Sequence, residues 1–227
     1  SRCGAREILD ALADGAYITD TQRRILFWNQ TAIRLTGWPA SAVVGHACSD
    51  NILIHIDKDG HPLCGQEHCP LHRAMVTGEM SRVPLLLFAQ HQSGRRLPVE
   101  VSVAPIRDAQ GAVVGGIEVF RDLTALMDDL RRARIIQDHA LESPLPDDPR
   151  VQFAVRYTPE EIVGGDFYRL EQIDADRYAI LLADVMGHGV AAALYGMQIR
   201  SLWEDYRSLL EQPARFVGEL NRRLERL

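Results

Sequence analysis

The sequence predicts an α+β chain in two folded units joined by a helix, and three patterns carry that prediction. Val99, Val101 and Val103 alternate with Glu100 and Ser102, the period of a half-buried strand, and glycine- and aspartate-rich turns separate this run from other apolar ones. Leu123, Leu126, Leu130, Ala133, Gln137 and Ala140 follow a 3-4-3-4-3 spacing, which is the period of a helix with an apolar seam. Arg177-Tyr178-Ala179-Ile180-Leu181-Leu182 is an apolar run that leads into a glycine turn and an alanine-rich helix.

In chain order, Ala5 to Leu12 reads as a short amphipathic helix. Gly15 to Asp20 and Arg24 to Asn29 read as a hairpin pair of strands, followed by short helices through Leu35-Thr36-Gly37-Trp38. Pro84 to Phe88, Arg96 to Ile106 and Val113 to Phe120 supply three further strands, with turns at Gly94 and at Asp108-Ala109-Gln110-Gly111. The seam helix ends before Pro144-Leu145-Pro146, because proline lacks the amide donor and restricts the residue before it. Pro213 to Leu224 reads as a second long helix with proline in its first turn. The expected division is 1–122, a linker helix over 123–146, and 147–227.

Composition narrows the function classes. The chain has 227 residues, 46% hydrophobic and 25% charged, as expected for one or two globular domains. Its net charge of -6 does not favour nucleic acid as a partner. No apolar run reaches membrane-spanning length and no signal peptide is evident, so the expectation is a soluble, cytoplasmic chain. Four cysteines do not make a disulfide scaffold at this length.

Two carboxylates stand out. Asp166 closes Val163-Gly164-Gly165-Asp166, and Asp184 opens Asp184-Val185-Met186-Gly187-His188-Gly189 directly after the apolar strand. A Gly-Gly-Asp triplet by itself is often only a turn. Two carboxylates delivered by adjacent strands beside glycines suit a hard divalent cation, Mn2+ or Mg2+, which takes oxygen ligands. His188 either orients phosphate or water or simply packs the turn.

These motifs, with Arg156-Tyr157-Thr158-Pro159 upstream and Ala191-Ala192-Ala193 downstream, resemble the metal-dependent type 2C serine/threonine protein phosphatases, above all the bacterial branch that regulates sigma factors in sporulation and the stress response. The resemblance covers about Val151 to Leu227. It implies part of an α/β/β/α sandwich, metal ligation by Asp166, Asp184 and the carbonyl of Val185, a water activated by the metals, and a phosphorylated anti-anti-sigma factor as substrate. Members of this family carry a further acidic ligand in a Ser-Asp-Gly context, and nothing after Asp205 matches it. The expectation is therefore an incomplete domain and a poor catalyst in isolation.

The first half resembles a PAS sensory domain. Asp14-Gly15, Ile18-Thr19-Asp20, Trp28-Asn29, Leu35-Thr36-Gly37-Trp38, Val44-Gly45 and Gly115-Gly116-Ile117-Glu118-Val119-Phe120-Arg121-Asp122 carry the likeness. It implies an antiparallel sheet with helices, and reads Asn29 as a turn cap. It names no ligand, since one fold serves many.

Cys48, Cys64 and Cys69 fall within 22 positions, with His46, His55, His61, His68 and His72 nearby. Thiolate and imidazole suit zinc or an iron–sulfur cluster, with Cys3 as a fourth ligand. The alternatives are buried thiols that pack a loop, or a redox pair. The seam helix is either a parallel homodimer contact with Gln137 at a core position, or a single helix packed on its own domains. The resulting reading is a sensor-regulated phosphatase in bacterial signalling. Its rivals are a non-catalytic PAS dimerisation module with a phosphatase remnant, and a diguanylate cyclase, whose Gly-Gly-Asp signature is superficially similar but leaves Asp184 to Gly189 without a place.

Overall fold

A computed structural model of the chain describes residues 4–65, 68–81, 85–159 and 161–226. It divides into two compact units, Ser1–Met127 and Asp128–Leu227.

The first unit is built on one antiparallel sheet. Helix α1 (Ala5–Asp10) precedes strands β1 (Gly15–Asp20) and β2 (Ile25–Trp28). Helices α2 (Gln30–Thr36), α3 (Ala40–Val43) and α4 (Pro70–Thr77) follow, then β3 (Leu85–Gln90), β4 (Arg96–Arg107) and β5 (Val113–Asp122). The strand order is β2-β1-β5-β4-β3, which places the first and last strands side by side in the centre. The alternation read in β4 holds: Val99, Val101 and Val103 are buried on one face, together with Tyr17, Leu87 and Phe120. Pro84, the expected start of β3, lies outside the described residues, as does Cys3.

Asn29 fastens this unit at its start. Its Oδ1 accepts from the amides of Ala16 at 2.9 Å and Ala32 at 2.7 Å. Its Nδ2 donates to the carbonyls of Leu9 at 2.9 Å and Asp14 at 3.0 Å. One buried side chain thus caps α2 and ties α1 to β1.

Helix α4 has no counterpart in the sequence reading. Pro70 occupies its first turn, and Leu71, Ala74 and Met75 form its buried face. That face packs so closely on β5 that a Cβ at Gly116 would lie 2.7 Å from Leu71 Cδ1.

The second unit contains most of α5 (Thr124–Leu141), strands β6 (Phe167–Gln172) and β7 (Tyr178–Ala183), and helices α6 (Gly189–Asp205) and α7 (Pro213–Leu224). Its core joins Leu141, Phe167, Ile199, Leu202, Trp203, Phe216 and Leu220, with Trp203 and Phe216 edge to face at 5.4 Å. Along β7, Ala179, Leu181 and Ala183 pack on this core. Ile180 and Leu182 point the other way and are 63% and 79% exposed.

The expected seam on α5 needs correction at its far end. Leu126 is exposed, as a helix-pairing residue would be in a lone chain. Gln137 and Ala140 are buried within the chain's own second unit, and Gln137 bonds the backbone of Gly164. A helix pair cannot use these two positions without unpacking that unit, so Gln137 is not a core residue between two copies. Among the described residues, no helix is long and apolar enough to cross a membrane.

Candidate functional site

The hairpin of the second unit sets the geometry of the two carboxylates. Phe167 pairs with Ala183 in the β6–β7 register. Asp166 and Asp184 are the next residues outward on each strand, so continuing the register places them opposite one another on one face. Both line an open cavity of about 430 Å³ together with Arg156, Tyr157 and Tyr168. Loss of water around Asp166, the charge of Asp184 and a hydrogen bond between the two carboxyls raise Asp166 above its ordinary range. Two carboxyl groups held this close repel when both ionise, and a divalent cation relieves that repulsion. The donor set therefore fits Mn2+ or Mg2+.

The second motif folds back on the first. A Cβ at Gly165 would lie 3.1 Å from Val185 Cβ and 3.3 Å from the Val185 carbonyl oxygen, so this carbonyl sits beside the Gly-Gly-Asp loop. Gly187 and Gly189 take φ of +90° and +78°, a region that L side chains avoid. They turn the chain from the end of β7 into α6. His188 lies between them. Its Nδ1 pairs with Glu161 Oε1 at 2.6 Å, and it does not line the cavity of the two aspartates.

The first unit holds a second constellation, only partly anticipated. Tyr17 donates to Glu118 Oε2 at 2.9 Å, and His55 Nε2 lies 3.4 Å from Glu118 Oε1. All three side chains are buried. Burial pushes the Glu118 carboxyl up to about 8 and the His55 imidazole down to about 4. The pair is therefore neutral at pH 7 rather than an ion pair. Glu118 Oε1 and His55 Nε2 face each other at 3.4 Å with no hydrogen-bond partner among the described residues. Sequence reasoning passed over Glu118 and Tyr17. The signal was present in Gly116, Glu118 and Phe120, where the period of two turns a carboxyl inward.

The cysteines border this core. Cys48 and Cys69 are buried, Cys64 is partly so, and all three are free thiols. The backbone amide of His55 donates to Cys64 Sγ at 3.1 Å. Burial is the main reason that the Cys48 thiol is pushed up to about 12 and Cys64 to about 11. Among the described residues, no cysteine belongs to a group of three ligand atoms within 4.8 Å of one another; the one such group is the half-buried Asp57 with the exposed Asp59 and His61. The sulfurs are thus not converged as one zinc ion requires, since Zn–S bonds of about 2.3 Å put ligands in mutual contact.

Comparison with known proteins follows the same division. The PAS fold model matches residues 9–127, just over half of the chain, and the stage II sporulation protein E model matches residues 174–227. The chain is 36% identical over 99 residues to phosphoserine phosphatase RsbP of Bacillus subtilis (strain 168), covering 44% of this chain and 24% of that protein. It is 36% identical over 74 residues to protein IcfG of Synechocystis sp. (strain ATCC 27184 / PCC 6803 / Kazusa), covering 33% of this chain and 12% of that one. These alignments thus span a quarter or less of either relative's length. Among solved structures, the PAS domain of a Colwellia psychrerythraea protein aligns over 52% of this chain and 93% of its own, at 22% identity and a TM-score of 0.42. With the strand order and the family match in agreement, the chain belongs to the PAS-fold family, and its PAS domain is followed by part of a type 2C phosphatase domain of the stage II sporulation protein E type.

Proposed function

We propose that this chain is the sensor and the first part of the catalytic domain of a metal-dependent protein phosphatase acting on phosphoserine or phosphothreonine. The observation that carries the reading is the placement of Asp166 and Asp184, which leave paired strands side by side and share one open cavity. The similarity to RsbP, a phosphoserine phosphatase, supports the same class of substrate. In this reading 1–122 is the sensor, 123–146 the signalling helix and linker, and 147–227 the catalytic part. The setting is cytoplasmic stress or sporulation signalling, with an anti-anti-sigma-type phosphoprotein as substrate.

Asp166, Asp184 and the Val185 carbonyl would hold the cation, which when bound supplies an activated water for in-line attack on phosphorus. The chain's own residues then divide the remaining work. The hairpin fixes the spacing of the two carboxylates. Arg156, on the wall of the same cavity, offers a guanidinium to the phosphoryl oxygens. His188 is assigned to the glycine turn rather than to phosphate, because Glu161 engages it outside the cavity. The exposed Ile180 and Leu182 give β7 an apolar face on which further strands of a complete sandwich would pack. Cys48, Cys64 and Cys69 are assigned to packing, since Cys48 and Cys69 are buried and Cys64 is partly so, in place of zinc, an iron–sulfur cluster or a redox pair. The first half of α5, with Leu126 outward, is assigned to a parallel homodimer contact.

The test is hydrolysis of a phosphoserine protein by the longer protein that contains this chain, with Mn2+ present. Asp184→Asn should abolish turnover, and a chelator should do the same reversibly. Unchanged turnover in the variant would overturn the reading.

A further inference from the structure

Helix α5 does more than connect. Its buried Gln137 takes both backbone groups of one residue: Nε2 donates to the Gly164 carbonyl at 2.6 Å, and Oε1 accepts from the Gly164 amide at 3.1 Å. Gly164 stands two positions before Asp166. A side-chain amide that pairs this way acts as a short piece of strand and fixes the peptide planes on both sides of Gly164.

The opposite side of the loop is equally constrained. A Cβ at Gly165 would come within 2.8 Å of Ala192 Cβ, and one at Gly196 within 2.7 Å of the Gly165 carbonyl. The Gly164-Gly165 backbone is therefore held between α5 and α6, with room for no side chain. Neighbouring turns of α5 reinforce the grip. Arg134 lies over the Tyr157 ring at 5.3 Å, three residues before Gln137. Arg200 of α6 donates to the Ala140 carbonyl at 2.8 Å, three residues after it.

We propose that Gln137 is the positioning residue through which α5 sets the loop that carries Asp166; this rests on the reading of Asp166 as a metal ligand. The helix starts at Thr124, two residues after the last sensor strand ends at Asp122, and runs unbroken to Leu141. A rotation of the helix by one residue, about 100°, carries the amide off Gly164 and frees the loop. Cation affinity thus depends on the setting of a helix continuous with the sensor, and Gln137 is the group that makes it so.

Two measurements on the 227-residue chain test this, amide hydrogen exchange without metal and Mn2+ binding by titration. In Gln137→Ala, exchange should quicken at least tenfold across Gly164, Gly165 and Asp166, while Leu202 and Trp203 in α6 stay as protected as before. Mn2+ affinity should fall about tenfold. If Gln137→Ala does not fold, Gln137→Glu keeps the acceptor for Gly164 and loses the donor, and should show the same changes at smaller size. Faster exchange confined to the Gly164 amide, with Mn2+ affinity within twofold of the unmodified chain, would show that Gln137 only satisfies its own hydrogen bonds. If the unmodified chain and Asp184→Asn bind Mn2+ equally or not at all, it is the metal reading that fails. The exchange result still decides whether Gln137 holds the loop.

Discussion

The Tyr17 hydroxyl donates to Glu118 Oε2 at 2.9 Å across the pairing of β1 with β5, and both groups are shut away from water. A carboxyl in that position keeps its proton near neutrality, which makes the stability of the PAS domain depend on pH. The folded-state value near 8 lies above the ordinary 4.5, so the folded domain binds this proton more tightly than the unfolded chain. Glu118 therefore costs nothing below about pH 4.5, and its penalty grows as pH rises towards 8. His55, held down to about 4, acts in the opposite sense: its contribution is complete above 6.5 and is lost as pH falls. The groups facing this pair are Tyr17, Cys48, Cys64, Cys69 and Arg96. Glu118→Gln should remove the alkaline loss. Urea unfolding at pH 6 and pH 9 should show the variant gaining on the unmodified chain by a few kcal/mol, on the order of 1.4 kcal/mol per unit of pH. Parallel pH profiles would mean that Glu118 is ionised when folded.

Asn29 makes four hydrogen bonds at a site with no access to water. Asn29→Ala leaves the Ala16 amide and the carbonyls of Leu9 and Asp14 without this partner. The expected loss is about 2–4 kcal/mol of PAS-domain stability. Asn29→Asp should recover part of it through the two accepted bonds. Denaturant midpoints for the three proteins measure both effects.

The thiols should behave as packed side chains. With Cys48 near 12, almost none is thiolate at pH 8, and the thiolate is the form that reacts. Alkylation of native Cys48 should be about 100-fold or more slower than in urea, and Cys64, nearer the surface, should react first. Native Cys48 reacting as fast as the unfolded thiol would instead indicate an activated, redox-competent group.

The exposed part of α5 has its own test. If Leu126 and Leu130 meet a second copy, the unmodified chain sediments as a dimer at micromolar concentration. Leu126→Asp with Leu130→Asp should then give a monomer without loss of helix content. A chain that is monomeric before substitution would remove the dimer from the account.

Much of this molecule is legible from spacing alone. The alternation of Val99, Val101 and Val103, the end of β7 just before Asp184 and the proline at the head of α7 are local signals, and the structure follows them. Helix α4 was obscured because its cysteine-flanked start drew a chemical reading before a periodic one. Gln137 was misplaced for a different reason. Its spacing fits a seam between two helices, but the spacing carries no information about Gly164, 27 residues away, which claims the amide. Glu118 was missed because its importance comes from Tyr17 and His55, which only the folded sheet brings to it.

The most direct measurement of the central claim is the location of manganese in crystals of the chain grown with millimolar Mn2+, from anomalous scattering at the manganese edge. A peak is expected within about 2.5 Å of oxygens from both Asp166 and Asp184, lost in Asp184→Asn crystals. Ordered carboxylates with no peak between them, or a peak that survives the substitution, would contradict it.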